Sequence, residues 1–451
     1  MAPDVYLDVV PITRSLDGQL DLGGKGAVID WSVQMRRLPT DRTLDVLLRR
    51  GELRVGQIDR LAEVLAAFYK RLTPLPITAD EYRSRCFAHV HGNRRELLAI
   101  SHHLQTNLVK RIHATQLQCL WLHAALFDKR VAEGRIIEGH GDLRPEHVCF
   151  TEPPVVFDCI EFNEDFRTLD VADDLAFLIA ECDYLGSIWV GDRLVERFRA
   201  LTGDQPPNVL WAFYKSYRAC VRAKVAALRA DQVADAHREH EIANATRYLD
   251  LAEGYLRYWE RPLVILVGGF SGTGKTTLAA ELATTLGAEL LTTDTVRQQI
   301  YGVGNHHAAV DSGVYQPAAR QRVYDELLIQ SAGLHHERLS VILDGTFSSA
   351  PLLRAARSIA KHPRACFLAV ECVCAPDVAV SRIRRRLSER TDTSEARPEV
   401  YERQQQRWEP CPSNFSQCRV NSEQPLDVQI AQVASALNIA LAGKDSRKDF
   451  A

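Results

Sequence analysis

Apolar residues in the first part of this chain follow two spacings in turn. Residues 5–10 are apolar and β-prone, and residues 28–38 alternate apolar with polar up to Pro39, a strand signature. From 44 to 72 the apolar positions recur at three and four, which predicts helices broken near Gly51 and Gly56 and closed by Pro74 and Pro76. Residues 96–130 read as one long helical stretch rich in Leu, His and Gln. Two short strands then enter tight loops: Ile136-Ile137 leads to Gly139-His140-Gly141-Asp142, and Val155-Val156-Phe157 ends at Asp158. Residues 169–180 and 209–258 read as helices. Arg261-Pro262 marks the expected boundary, because the residue before a proline is pushed out of the helical region.

Beyond Pro262 strands and helices alternate. Strands are expected at 263–267, 289–292, 339–344 and 366–373, and helices at 275–286, 317–337, 352–361, 377–388, 398–408 and 426–441. Such alternation predicts a parallel sheet with helices on both faces. The expectation is therefore an α/β domain over 261–443 and a polar tail over 444–451. A mainly helical α+β domain precedes them over 1–260, with β-rich residues 1–40 and helical residues 41–260.

Composition narrows the partners. Over 451 residues the formal net charge is −3, so no global basic field draws the chain to nucleic acid or to a membrane. The N-terminus lacks the basic stretch and apolar core of a signal peptide, and the apolar run at 263–267 is far too short to span a bilayer. Eleven cysteines include no C-x-x-C pair, and the histidines lack zinc spacing with them, so reduced thiols in a cytoplasmic protein are expected.

The sharpest chemistry lies at Gly269-Phe-Ser271-Gly272-Thr273-Gly274-Lys275-Thr276-Thr277. This spacing fits a phosphate-binding loop between a strand and a helix. Its glycines let backbone N–H groups curl around a phosphate chain, and the following helix aims its N-terminus at the same anion. Lys275 would reach the β- and γ-phosphates, and Thr276 would offer its hydroxyl to Mg²⁺. The run Ser340-Val-Ile-Leu-Asp344 ends in an acid able to orient the metal shell, with a strand-ending turn residue as the alternative.

With Thr292-Thr293-Asp294-x-x-Arg297 added, the C-terminal part resembles the P-loop kinases of small molecules and nucleic-acid 5′ ends, including gluconate kinases, polynucleotide kinases and zeta-toxin-like kinases. The resemblance implies that Asp294 is the base at the acceptor hydroxyl and that Arg297 binds substrate. A helix N-cap is the other role open to Asp294. The run Arg382-Ile-Arg384-Arg385-Arg386-Leu-Ser-Glu-Arg390 resembles the arginine-rich lid of these kinases. Helical spacing groups Arg382, Arg386 and Arg390, which points to Arg386 or Arg390 for phosphate and leaves Arg384 and Arg385 toward solvent.

In the first part, His140-Gly141-Asp142-Leu-Arg-Pro-Glu-His147 followed by Val155-Val-Phe-Asp158 resembles the aminoglycoside phosphotransferase and protein-kinase-like fold. The resemblance implies Asp142 as catalytic base and Asp158 as a metal ligand. His147 stands where the family pattern has Asn. An imidazole suits hard Mg²⁺ less well, so metal binding there would weaken, shift toward Mn²⁺ or fall to Asp158. The family also carries an ATP-anchoring Lys and a helix Glu in a β-lobe. Here Lys25 is the only Lys before Pro39 and sits in a turn-like Gly-Gly-Lys-Gly, so those two groups would lie upstream of Met1, or this half would be a degenerate kinase. The whole layout resembles bacterial fusions of an aminoglycoside-phosphotransferase-like domain with a P-loop ATP-binding domain. Asp173 and Asp174 read best as first-turn charges complementing a helix dipole.

These readings predict an ATP- and Mg²⁺-dependent transfer of phosphate to a hydroxyl of a small molecule by the C-terminal domain. Two alternatives stand beside it: a polynucleotide 5′-hydroxyl kinase, which the sequence favours less, and a nucleotide-controlled binding module with the first half as its docking surface.

Overall fold

The computed structural model describes residue 2 and residues 4–100, 104–302, 316–389 and 398–445. They form two compact units, one of residues 1–84 with 125–255 and one of residues 85–124 with 256–451.

The first unit opens with a three-stranded antiparallel sheet in the order Leu20–Leu22, Tyr6–Arg14, Ala27–Met35. Leu7, Val9, Trp31 and Val33 stay exposed on it. Helices Leu44–Arg50 and Val55–Arg71 follow, the first ended by Gly51 in the left-handed conformation, as the Gly51 break predicts. Two small antiparallel pairs carry the loop chemistry: Ile136–Glu138 with Thr168–Asp170, and Val148–Cys149 with Val155–Val156. The unit's helical core comprises Val171–Tyr184, Ile188–Thr202, Asn208–Ala230 and most of Asp235–Leu256.

The second unit is built on a five-stranded parallel sheet. Its order is Gln417–Asn421, Cys366–Val373, Leu263–Gly268, Val341–Asp344, Glu289–Thr292. Period-two alternation splits each central strand between two cores. Leu263, Ile265 and Val267 pack with Leu278, Leu282 and Leu437, while Val264 and Leu266 pack with Val323, Leu327 and Leu353. Helices therefore cover both faces, and the strand that feeds the glycine loop is buried at every position.

The unit also takes in helix Thr106–Leu122. A Cβ at Gly287, just past the helix Lys275–Leu286, would lie 3.0 Å from Ala114 Cα, so the two helices pack closely. Lys110 Nζ pairs with Glu289 Oε2 at 3.0 Å, and Gln118 Nε2 donates to Ser340 Oγ at 3.0 Å.

Several expectations change. Residues 96–130 are not one helix: Ala79–Ala99, Thr106–Leu122 and Ala124–Ala132 are separate, and residues 101–103 lie outside the described residues. Residues 209–258 divide into Asn208–Ala230 and Asp235–Leu256 around the polar turn at Asp231-Gln232. The edge strand Gln417–Asn421 and the helix Ile188–Thr202 were not anticipated, the strand because its polar, mostly exposed residues carry little apolar pattern.

Candidate functional site

The loop after strand Leu263–Gly268 has the backbone its glycines permit. Gly272 and Gly274 hold φ of 83° and 84°, and a Cβ on Gly272 would meet Ala379 O at 2.5 Å. Only glycine suits that combination of left-handed backbone and close approach. Helix Lys275–Leu286 begins directly after Gly274. Its first turn, with Gly272, Gly274, Lys275, Thr276 and Thr277, lines a cavity of about 460 Å³ whose wall also includes Arg382, Arg385 and Arg386.

Register explains which acids come near. Asp344 pairs with Val267 on one side and with Thr292 on the other, so the three strands end at one level. From there Thr276 Oγ1 donates to Asp344 Oδ2 at 2.7 Å, joining the loop to the next strand's carboxylate. These two hard oxygens fit Mg²⁺, which prefers oxygen donors and keeps several waters and phosphate oxygens. Among the described residues no group of three or more His, Cys, Asp or Glu is arranged to hold a metal.

Thr292, and not Asp294, caps helix Thr293–Tyr301: its hydroxyl accepts from Thr295 N at 2.9 Å. The N-cap role for Asp294 is thereby corrected. Asp294 sits in the first turn and pairs with Arg297. Neither residue lines the phosphate cavity, but both lie on the segment that leaves the sheet beside Asp344. Nearby, Tyr324 Oη accepts from Thr346 N and Phe347 N at 3.1 Å each, fixing the turn after Asp344. Burial pushes the Tyr324 phenol up from its ordinary value, which keeps it neutral.

The arginine helix Pro376–Glu389 differs in part from its helical-wheel reading. Arg385 is exposed, as expected, and also lines the cavity with Arg386. Arg382 is held by Ser422, donating from Nη1 to Oγ and from Nη2 to the carbonyl oxygen, both at 3.0 Å. Arg390 lies outside the described residues. Ser422, Gln424 and Gln429 line the cavity and carried no sequence signal, since they follow the weakly patterned edge strand. On the loop itself, Ser271 N donates to Gln404 Oε1 at 2.8 Å, and Thr273 Oγ1 donates to Phe270 O at 2.8 Å. Phe270 packs edge-on against Tyr401 and Trp408, with centroids 5.4 and 4.9 Å away.

In the first unit, Asp142 lies on the loop between strands Ile136–Glu138 and Val148–Cys149. Asp174 holds this loop: its Oδ2 accepts from His140 N at 2.8 Å and from Tyr69 Oη at 2.9 Å, and its Oδ1 accepts from Gly141 N at 3.0 Å. Asp173 takes a two-point ion pair from Arg218, 2.7 Å at each contact, and Arg218 Nη1 also donates to Gly141 O at 3.1 Å. Both acids do more than complement a helix dipole. Asp174 reaches the loop directly and Asp173 through Arg218, both across more than thirty residues of sequence, which local reading does not reach.

His147 Nδ1 donates to Asp142 O at 2.8 Å, and its Nε2 lies 3.3 Å from Asp158 Oδ2. His140 Nε2 bonds Phe157 O at 2.8 Å, and burial lowers its pKa below the ordinary value. Asp158 has a left-handed backbone, φ 61°, and its N–H donates to Tyr6 Oη at 2.7 Å. The unit thus offers one carboxylate and one imidazole nitrogen, a mixed pair that suits Mg²⁺ less well than two oxygens do.

Residues 6–217 match the phosphotransferase enzyme family, and residues 264–411 match the AAA domain family. A gluconokinase from Sinorhizobium meliloti aligns with 42% of this chain and 98% of its own, at 15% identity and a TM-score of 0.32. The APS kinase of Mycobacterium tuberculosis, solved in complex with AMPPNP and APS, aligns with 40% of this chain and 98% of its own, at 19% identity and a TM-score of 0.30. The two family matches give the class: an N-terminal kinase-like domain and a C-terminal P-loop domain, an ATP-binding phosphotransferase with its substrate unspecified. Uncharacterised proteins of Mycobacterium bovis and Mycobacterium tuberculosis are 32% identical over 377 residues, covering 80% of this chain and 73% of theirs. The chain belongs to the family of these mycobacterial proteins.

Proposed function

We propose that the P-loop unit transfers the γ-phosphate of ATP to a hydroxyl group of a small molecule. The observation that carries this reading is the Thr276–Asp344 contact at 2.7 Å beside a glycine loop whose cavity is walled by Lys275, Arg385 and Arg386. The loop amides and Lys275 bind the phosphate chain, while the arginines meet negative charge that develops during transfer. Mg²⁺, held by Thr276 and through the shell of Asp344, would neutralise phosphate charge when bound. Asp294 accepts the acceptor's proton, and Arg297 holds that carboxylate in place and binds substrate. Their position past Thr292, level with Asp344, supports these roles.

The test is a screen of hydroxyl compounds for stimulated ADP release, with Lys275→Ala as the blank. An active acceptor should lose stimulation with Asp294→Asn while ATP binding persists. If every compound gives wild type and Lys275→Ala the same rate, the kinase reading fails.

A further inference from the structure

The first unit holds a second cavity, of about 410 Å³, and its wall is cationic. Arg49, Arg144, Arg222, Arg229 and Arg247 line it together with His240, and Glu241 is the single carboxylate among the lining residues. Four of these arginines have acids behind or beside the wall: Arg49 pairs with Asp45 at 2.8 Å, Arg144 with Glu146, Arg222 with Glu181 at 3.2 Å, and Arg229 with Glu241 at 3.7 Å. Arg247 instead donates to Tyr184 O at 3.2 Å and lies over the Tyr184 ring at 4.3 Å. Tyr184 in turn stacks on Tyr248 at 3.9 Å, so the aromatic wall is rigid and already packed.

The cavity adjoins the catalytic loop. Arg144 lines it, and Arg144 Nη1 stands 3.5 Å from Asp142 Oδ2. Helix Asn208–Ala230 connects the two features: Arg218 braces Gly141 of the loop, and one turn and three turns further along the same helix Arg222 and Arg229 enter the wall.

We propose that this cavity binds a small polyanion, a molecule with two or more phosphate or carboxylate groups, and presents it to Asp142. Guanidinium groups match such oxyanions bidentately. A polyamine such as an aminoglycoside would find five guanidinium groups, which donate hydrogen bonds and accept none, and one carboxylate, Glu241, already paired with Arg229, which argues against the ligand class that the fold kinship suggests. The guanidinium groups line one half-open cleft of small-molecule size, which favours a compact ligand over a nucleic-acid backbone. The inference does not rest on the activity of the P-loop unit.

The experiment uses the full chain carrying Lys275→Ala, so that phosphate binding at the P-loop is suppressed. Fructose 1,6-bisphosphate and citrate are the phosphate and carboxylate probes, kanamycin the cationic one, and a single-stranded hexanucleotide the polymeric one. Calorimetric titration should show one of the two small anions binding with Kd below about 1 mM and kanamycin not binding. The double variant Arg229→Glu/Arg247→Glu, at two exposed side chains, should weaken that binding at least about tenfold, about 1.4 kcal/mol, and Arg229→Lys/Arg247→Lys should keep most of it. A thermal melt confirms that the glutamate variant is folded. Kanamycin or the hexanucleotide binding more tightly than both small anions overturns the proposal, as does anion binding unchanged by the double glutamate variant or absent altogether.

Discussion

The two units prepare for phosphate chemistry by different means. The P-loop unit relies on local geometry: a buried strand, a glycine loop and a helix start, all within residues 263–286. The kinase-like unit relies on distance: the loop that carries Asp142 is held by Asp174 and by Arg218, itself paired with Asp173, across 33 residues for Gly141 to Asp174 and 77 for Arg218 to Gly141. That arrangement is only as firm as its buried ion pairs.

That contrast is tested most strongly in the kinase-like unit. Arg130 is buried and donates to Asp170 at 2.6 and 2.7 Å and to Asp204 at 2.8 Å. Arg130→Ala strands two buried carboxylates and should cost about 3–5 kcal/mol in chemical denaturation. MgATP binding by the P-loop unit should survive wherever the second unit remains folded. A loss in both units together would show that they are not independent.

The next effect falls on the P-loop unit. Asp344→Asn keeps the shape but removes the charge that faces Thr276, and acceptor-stimulated turnover should drop about 100-fold, roughly 2.7 kcal/mol. Thermal stability should change little by comparison. An unchanged rate would remove Asp344 from the metal shell.

A pH effect comes third. His113 is fully buried in helix Thr106–Leu122, where burial depresses its pKa to about 4 while Nδ1 donates to Val109 O at 2.7 Å. The unfolded chain protonates this group near its ordinary 6.5, so the stability from keeping it neutral is present above that value and is lost as pH falls toward 4. Between pH 7 and pH 5 the loss should be about 2 kcal/mol for the P-loop unit, read by denaturant midpoints. His113→Gln should flatten that slope.

The smallest effect concerns the cap. Thr292→Ala removes the bond to Thr295 N and should destabilise helix Thr293–Tyr301 by about 1 kcal/mol. Because that helix carries Asp294, turnover should fall more than ATP affinity does.

The same local-versus-distant difference governs how much the sequence reveals. The strands at Glu289–Thr292, half-buried, and Cys366–Val373, mostly buried, and the helix Lys275–Leu286 coincide with their apolar spacing, since parallel strands of a covered sheet and an amphipathic helix write their periods directly. The edge strand Gln417–Asn421 leaves almost no apolar trace, so Ser422 and Gln429 stay hidden although they line the phosphate cavity. Arg385 is exposed, as its place on the helical wheel predicts, but a wheel carries no information about which neighbour the helix meets, so its place on the cavity stays hidden. Asp174 looked like a dipole charge for the same reason: its partners, Tyr69, His140 and Gly141, are distant in sequence. The basic cavity is likewise invisible to overall charge, because its five arginines come from separate segments of a chain whose net charge is −3.

The central claim is that the glycine loop and Lys275 hold a nucleotide triphosphate. Its most direct test is calorimetric titration of MgATP into the full chain and into Lys275→Ala. The account predicts saturable binding by wild type, weakened at least about 100-fold in the variant, about 2.7 kcal/mol. Equal affinity in the two proteins, or no binding by wild type, would contradict it.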